Sequence, residues 1–132
     1  MWGNVFRKFF LTRLASFRHA FEGWGFALRT QPNAWIHAAI SLGVIALGFW
    51  LQIPARDWAV LVLTITLVLA AELINTAIEA VLDLVSPDHH PLAKVGKDTA
   101  AGAVMLSAIG AVLIGILILG PPLLDKIQSI IH

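Results

Sequence analysis

The chain has 132 residues, of which 58% are hydrophobic and only 13% are charged, whereas a soluble domain usually has about a quarter charged residues. The length predicts a single domain and argues against an enzyme whose cleft lies between two lobes. Basic and acidic residues nearly balance, which argues against a nucleic-acid binder, and the lack of cysteine excludes disulfides, thiolate metal sites and cysteine nucleophiles.

The N-terminal segment predicts an amphipathic helix, over residues 5–29, that lies on a membrane surface. Its apolar side chains fall within one arc of about 80° on a helical wheel, while most of the charged residues project elsewhere. The side chains of this arc are Phe6, Phe10, Leu14, Phe17, Phe21 and Trp24. Alternatively, the apolar face of this helix packs against the membrane spans of the same chain. The two interpretations are compatible, since one helix can lie on the membrane and contact the spans. Charges spread through the segment argue against a cleaved signal peptide.

Three long apolar stretches predict transmembrane helices over about 34–51, 58–85 and 99–119, because each is close to or above the ~20 residues that cross a bilayer. Trp35, Trp50 and Trp58 lie at the ends of these stretches, where indole rings favour the membrane interface. Buried helices of a soluble protein are disfavoured, because too little polar surface remains to cover three of them. The predicted class is an all-α integral membrane protein.

Basic residues predict the orientation of the chain. They are concentrated before the first span and between the second and third spans: Arg7, Lys8, Arg13, Arg18, Arg29, Lys94 and Lys97. The other side has only Arg56 and Lys126. The positive-inside rule therefore predicts a cytoplasmic N-terminus, a cytoplasmic second loop and an external C-terminus. After Pro121 and Pro122, the apolar spacing predicts a short interfacial helix over about 122–131.

The second span ends in a polar stripe. Its four members share an arc of about 80° on one helical face and are Glu72, Asn75, Glu79 and Asp83. Ionised carboxylates inside a membrane cost a few kcal/mol each on insertion scales, so they should face protein, a cation or water. Three interpretations are open: a hydrogen-bonded seam between helices, a Mg²⁺ site and the proton relay of a transporter. The stripe is predicted to lie near the cytoplasmic boundary of the membrane, where a soluble nucleotide can reach it, and this favours the Mg²⁺ site.

The loop after the second span contains prolines and histidines that prevent its helix from continuing. Lys97 and Asp98 are predicted to begin the third span. A lysine beside the N–H groups of a helix N-terminus is a reasonable phosphate site, although Lys97 can equally be an ordinary snorkelling residue and Asp98 an N-cap. His89 and His90 lack the spacing of a helical metal site, so they are expected to be solvated.

The segment Ala-Glu-Leu-Ile-Asn-Thr-Ala-Ile-Glu-Ala-Val-Leu-Asp ends at Asp83, and Lys97-Asp98 and a helix rich in small residues follow it. This combination resembles the prokaryotic diacylglycerol kinase family over about residues 16–119. The sequence from His90 to Lys94 is more similar to the undecaprenol kinase branch than to the Gram-negative diacylglycerol kinases. The resemblance implies a homotrimer with three membrane helices and one surface helix per subunit. It also implies sites between subunits at the cytoplasmic interface.

The resemblance implies a role for each polar residue. Glu72 corresponds to the general base that takes the proton of the lipid hydroxyl, and Glu79 to a metal-binding carboxylate. Asn75 and Asp98 correspond to polar residues that bind the nucleotide, and Lys97 to the lysine on the ATP phosphates. A base, a cation ligand and a phosphate clamp are what phosphoryl transfer requires. The sequence contains no Walker loop, so the nucleotide is held differently from that of a P-loop enzyme.

Gln31 stands where members of the family usually have a second metal-binding glutamate. A glutamine offers an oxygen but no charge, so the resemblance implies a weaker metal site at Gln31 and Glu79. The sequence therefore predicts an ATP- and Mg²⁺-dependent lipid kinase of the bacterial inner membrane, acting on undecaprenol or diacylglycerol. The alternatives are a membrane scaffold that has lost catalysis and a small proton-coupled transporter.

Overall fold

The structure is a computed structural model that describes residues 2–88 and 90–131; the side chains of residues 2–6, 8–11 and 14 are outside the description. Within these residues the chain forms four helices in a row. They are α1 (Trp2–Thr30), α2 (Pro32–Leu51), α3 (Ala55–Val85) and α4 (Pro91–Ile131). The predicted all-helical class is confirmed.

Helices α2, α3 and α4, with 20, 31 and 41 residues, are long and apolar enough to cross a membrane, and each contains an 18-residue stretch with a mean hydropathy of 1.8, 2.1 and 2.6, respectively. Apolar side chains are exposed on several faces of these helices; Leu63 is 70% and Leu117 74% exposed. A helix that is apolar all round needs an apolar environment. The three helices therefore have the length and the composition of membrane spans.

The chain turns at Gln31, between α1 and α2. Its backbone is extended, with φ −115° and ψ 108°, because a following proline disfavours helical geometry. Pro32 then occupies the first position of α2, where a missing N–H costs nothing. The Gln31 carbonyl accepts the N–H of Ala34 at 3.2 Å, but the Gln31 side chain makes no cap bond. That side chain is directed toward α3 instead.

A tight turn joins α2 to α3. Gln52 is left-handed, with φ 54° and ψ 44°, and the N–H of Ile53 donates to the Gly48 carbonyl at 3.3 Å, which satisfies a carbonyl at the helix end. A Cβ on Gly48 would lie 2.9 Å from Cη2 of Trp58. Glycine therefore lets α3 pack closely against the end of α2.

The buried apolar core lies at this end of the bundle. Ile53, Leu61 and Leu119 form its centre, so one residue each from the turn, α3 and α4 is held together. Partly buried side chains surround this centre: Val44, Leu47, Leu51, Trp58, Ile114 and Ile118. Leu61 is about 16 Å along α3 from Glu72 at ~1.5 Å per residue. The core thus fixes the helices at one end and leaves polar side chains to meet at the other.

Helix α4 begins earlier than the sequence predicts. It starts at Pro91, and the Nδ1 atom of His90 accepts the N–H of Leu92 at 3.2 Å. Proline suits the first helical position, and the imidazole satisfies one of the N–H groups left at the helix start. The prediction that Lys97 and Asp98 begin the helix is wrong, since both lie about two turns inside it. His89 is outside the described residues.

Helix α4 also continues through Pro121 and Pro122 to Ile131. The prediction of a separate helix over 122–131 is therefore wrong. Proline has the helical φ, but it lacks an N–H and its ring crowds the carbonyl four residues earlier, so each proline costs α4 one hydrogen bond without ending it. Gly120 lacks the Cβ that the ring of Pro121 would otherwise crowd.

Helix α1 presents part of its predicted apolar face to the surroundings. Phe17 is 65% and Phe21 74% exposed, while Trp24 lines a cavity against α3 and Ala27 is fully buried. The other members of this face, whose side chains are outside the description, are Phe6, Phe10 and Leu14. The described part of α1 thus packs on the bundle near Thr30. Its position on a membrane surface stays a prediction.

Candidate active site

Polar side chains from three segments meet in one cavity of about 260 Å³. The cavity receives Gln31 from the turn between α1 and α2. The other polar residues that line it are Asn33 and His37 of α2 and Glu72, Asn75 and Glu79 of α3. Helix α4 contributes only an apolar wall, from Ala101, Val104, Met105 and Ala108. Three members of the polar stripe therefore share one cavity with a glutamine that lies far from them in sequence.

Glu79 is held by two amide groups. Nε2 of Gln31 donates to Oε2 of Glu79 at 2.6 Å, and Nδ2 of Asn75 donates to Oε1 at 2.9 Å. A carboxylate that accepts hydrogen bonds on both oxygens has a fixed orientation, and such bonds are stronger than those between neutral groups. The structure thus brings together Gln31 and Glu79, the two residues assigned to the metal.

Glu72 has the opposite environment. Its side chain is only 3% exposed, yet neither of its carboxylate oxygens accepts a hydrogen bond from the described residues. An ionisable neighbour is His37, whose Nε2 lies 3.9 Å from Oε2 of Glu72. Buried polar groups are nearly always bonded, so an unbonded pair of oxygens requires an explanation. A carboxylate left open to a cavity can take a proton from a molecule bound there.

Lys97 and Asp98 lie outside this cavity. Lys97 donates from Nζ to Oδ1 of Asp83, the last member of the stripe, and Lys94 donates from Nζ to Oδ2 of Asp98 at 2.7 Å. Both pairs are exposed, and exposed ion pairs contribute little to stability because water screens them. Of the three predicted nucleotide-binding residues, the chain alone therefore brings only Asn75 into the cavity with Glu72, and Lys97 and Asp98 are paired outside it.

The donor atoms near Glu79 fit a magnesium ion. Mg²⁺ binds oxygen, and in nucleotide sites it usually takes one or two carboxylates together with phosphates and water. Oδ1 of Asn75 is buried without a partner, and rotation of the Gln31 amide presents a second neutral oxygen beside the Glu79 carboxylate. The described residues contain no cluster of three acidic or histidine side chains suited to a metal. Such an ion would therefore share its ligands with a nucleotide.

A second, apolar cavity of about 440 Å³ adjoins the polar one. His37 and Ala108 line both cavities. The second cavity extends toward the apolar core between α2, α3 and α4, past Val44, Leu61 and Ile116. Glu72 thus lies near the boundary between a polar chamber and an apolar one.

The family model for prokaryotic diacylglycerol kinase matches residues 18–119. The chain belongs to this family. A diacylglycerol kinase of Synechocystis is 49% identical over 113 residues, which are 85% of this chain and 65% of that protein. An undecaprenol kinase of Bacillus subtilis is 41% identical over 120 residues, which are 91% of this chain and 94% of that protein. The diacylglycerol kinase of Escherichia coli is 30% identical over 105 residues, or 74% of this chain and 85% of that protein.

The match confirms the resemblance to the prokaryotic diacylglycerol kinase family. The names of the family and of these relatives are those of lipid kinases. Together with three helices of spanning length, a prokaryotic family of this kind indicates a bacterial membrane protein. The chain spans about two thirds of the Synechocystis protein, with 65% covered.

Sequence reasoning missed two residues of the cavity in this member of the diacylglycerol kinase family, Asn33 and His37. A signal was present for His37, because an ionisable residue inside an otherwise apolar span marks a functional site by default. Asn33 offers no such signal, since it follows a proline at the start of a helix where polar residues are ordinary. Only the turn at Gln31 places Asn33 beside α3.

Proposed function

We propose that the chain is an ATP-dependent lipid kinase that phosphorylates the hydroxyl of a membrane lipid alcohol, either undecaprenol or diacylglycerol. Glu72 carries the proposal, because it is a buried carboxylate without hydrogen-bonded oxygens beside the meeting point of a polar and an apolar cavity. A lipid alcohol is chemically complementary to this arrangement, because its hydrocarbon chain suits the apolar cavity and its hydroxyl can lie beside Glu72. The relatives have both substrate names and favour neither lipid.

In the proposed reaction, Glu72 accepts the proton of the lipid hydroxyl while that oxygen attacks the γ-phosphorus of ATP. The new bond joins the lipid oxygen to phosphorus, the bond from phosphorus to the β-phosphate oxygen breaks, and ADP leaves. Glu79 and Gln31 would hold Mg²⁺, which would neutralise charge on the phosphates, and Asn75 beside them would bind the nucleotide. Lys97 and Asp98 contact the nucleotide on the cytoplasmic side of the cavity.

Phosphate transfer in detergent tests this function directly. Purified protein is given ATP and either undecaprenol or diacylglycerol, and the phosphorylated lipid is measured for each. Incorporation into at least one lipid is expected. Incorporation into neither contradicts the proposal and favours a membrane scaffold. Ion flux by reconstituted protein, without any phosphorylation, favours a transporter.

The proposed orientation places the N-terminus and the loop over residues 86–90 in the cytoplasm and the C-terminus outside. The distribution of basic residues supports it, because such residues resist translocation. The chain has no cysteine, so single cysteines can be placed freely. An impermeant thiol reagent added to intact cells should label Arg56→Cys, at a 92% exposed side chain, and should not label Asp88→Cys. External labelling of Asp88→Cys would contradict the orientation and the cytoplasmic site with it.

We also propose that the working form is a homotrimer whose sites lie between subunits. Support comes from the apolar faces left exposed on α2, α3 and α4 and from the position of Lys97 and Asp98 outside the cavity of their own chain. Small residues recur along α4 and allow helices to approach closely. Light scattering in detergent should give a protein mass of three chains of 14.3 kDa each. The mass of a single chain, in an active sample, would contradict the trimer.

A further inference from the structure

His37 has an unusual position in the polar cavity. It projects from α2 with its side chain 16% exposed, and its Nε2 lies 3.9 Å from Oε2 of Glu72. Among the described residues that line this cavity, it is the only one able to carry positive charge. The other ionisable groups there are Glu72 and Glu79, and α4 presents none. The imidazole is therefore the one ring N–H donor that the described residues of the cavity offer to either carboxylate.

The two glutamates depend on this partner to different degrees. Glu79 accepts bonds from Gln31 and Asn75, so its orientation is fixed without the imidazole. Glu72 accepts no hydrogen bond from the described residues. His37, at 3.9 Å, is the ring N–H donor near its carboxylate among the described residues of the cavity.

The distance between the two groups is longer than a hydrogen bond, which spans about 2.7–3.2 Å for a nitrogen donor. Catalytic hydrogen bonds are often long without substrate and shorten when the complex forms. His37 also lines the apolar cavity, so a lipid chain bound there would contact the same imidazole that lies beside Glu72.

We propose that His37 is a positioning residue for Glu72. Its Nε2–H directs the carboxylate toward the lipid hydroxyl and closes to a hydrogen bond when the lipid fills the cavity. The proposal rests on the proposed kinase function, because it concerns the base of that reaction. His37 itself takes no part in bond making.

Two substitutions of His37 distinguish a role in positioning Glu72 from a role in stabilising the fold. His37→Leu removes the donor, and we expect kcat to fall by about 10²-fold, the cost of a base misplaced by about 1 Å, with the KM for ATP unchanged. His37→Gln restores an N–H donor and should recover most of kcat. His19→Leu is the matched control, because His19 is exposed and pairs with Glu22 on α1; its kinetics should equal those of the wild type. Loss of kcat that His37→Gln does not recover overturns the proposal.

Combination with Glu72→Gln sharpens the test. If His37 acts through Glu72, adding His37→Leu to Glu72→Gln should lower kcat no further, since residues that act as a unit are not additive. A double variant whose losses multiply would show that His37 acts elsewhere and would overturn the proposal.

A spectroscopic measurement does not depend on turnover. In protein labelled with ¹⁵N-histidine, Glu72→Gln should shift the ring resonances of His37, while Glu22→Gln should shift those of His19 and leave His37 unchanged. A His37 resonance that ignores Glu72→Gln overturns the positioning role even in an active enzyme. A wild-type protein that phosphorylates neither lipid, but whose His37 responds to Glu72→Gln, overturns the kinase function and with it the positioning role, and leaves the contact as a structural one.

Discussion

The two glutamates of the polar cavity lie about two turns apart on one helix and have opposite surroundings. Glu79 accepts amide bonds on both oxygens, whereas Glu72 is buried deeper and accepts none. A carboxylate whose oxygens are occupied by donors is suited to hold a ligand in a fixed place. One that is buried without donors is suited to exchange a proton. The same residue type on the same helical face therefore serves two purposes, and the neighbouring side chains decide which.

The largest effect is expected from Glu72→Gln. Removal of a general base usually lowers the rate by about 10²–10⁴-fold, and kcat should fall by this amount while the KM for ATP stays near the wild-type value. Steady-state kinetics with saturating lipid measure both. Asp125→Asn, at an exposed position near the other end of α4, is the control and should change neither. Wild-type kcat in Glu72→Gln would mean that the stripe only joins helices.

Glu79→Gln should affect the metal rather than the chemical step. The variant loses the only carboxylate in contact with Gln31 and Asn75, so the Mg²⁺ concentration for half-maximal rate should rise by about tenfold, equivalent to ~1.4 kcal/mol of binding. Titration of Mg²⁺ at saturating ATP gives this value. A fall in kcat like that of Glu72→Gln, with an unchanged Mg²⁺ requirement, would remove the distinction between the two glutamates.

Gln31→Glu should act in the opposite direction. It places a second carboxylate against Glu79, and two carboxylates repel unless a cation lies between them. We expect the half-maximal Mg²⁺ concentration to fall by several-fold, with a ceiling set by solvent screening. The melting temperature should fall without Mg²⁺ and recover when Mg²⁺ is added, which is a second readout independent of activity.

Glu22 is the rival source of the missing carboxylate and provides the control. It is exposed, pairs with Arg18 at 3.4 Å and with His19 at 3.0 Å, and does not line the cavity. Glu22→Gln should therefore leave the Mg²⁺ titration unchanged. A raised Mg²⁺ requirement in Glu22→Gln, together with an unshifted Gln31→Glu, would assign the ligand to Glu22.

The smallest effect is expected from Lys97→Gln. Lys97 lies outside the cavity in an exposed pair with Asp83, so the melting temperature should hardly change, because solvent screens such pairs. The KM for ATP should rise by a few-fold if the lysine exchanges Asp83 for a phosphate. Asp83→Asn, which releases the lysine, should not raise it. An unchanged KM in Lys97→Gln would make Lys97 an ordinary flanking residue.

Helical periodicity predicted the part of the site that lies within one helix. Glu72, Asn75 and Glu79 share a face by their spacing alone, and they line one cavity. Gln31 is 48 residues from Glu79, so no periodic pattern joins them; its placement came from the resemblance. Their chemical roles stay predictions. The sequence signalled His37 as an ionisable residue in an apolar span, but its partner Glu72 could not be predicted, because that contact depends on the packing of α2 against α3.

Local rules also failed at both ends of α4. Histidine and proline before Lys97 indicated a loop, but Pro91 is one of the few residues that favour the first turn of a helix. Pro121 and Pro122 indicated a break, because proline inside a helix removes a hydrogen bond and crowds a carbonyl, but α4 continues through them to Ile131. The error at Pro91 was one of position relative to the helix end, whereas the error at Pro121 and Pro122 was to treat a local cost as enough to end the helix.

The unequal lengths of α2 and α4 have a consequence for the thickness of the bilayer. At ~1.5 Å per residue, α2 is about 30 Å long, close to the hydrocarbon thickness of a typical membrane, and α4 is about 60 Å long. A helix longer than the hydrocarbon thickness of the bilayer can tilt to fit it, whereas a helix of equal length cannot span a thicker bilayer by changing its tilt. Thick membranes should therefore strain α2, which carries His37, before they affect α4. We expect activity in vesicles to decline as the acyl chains of the host lipid are lengthened.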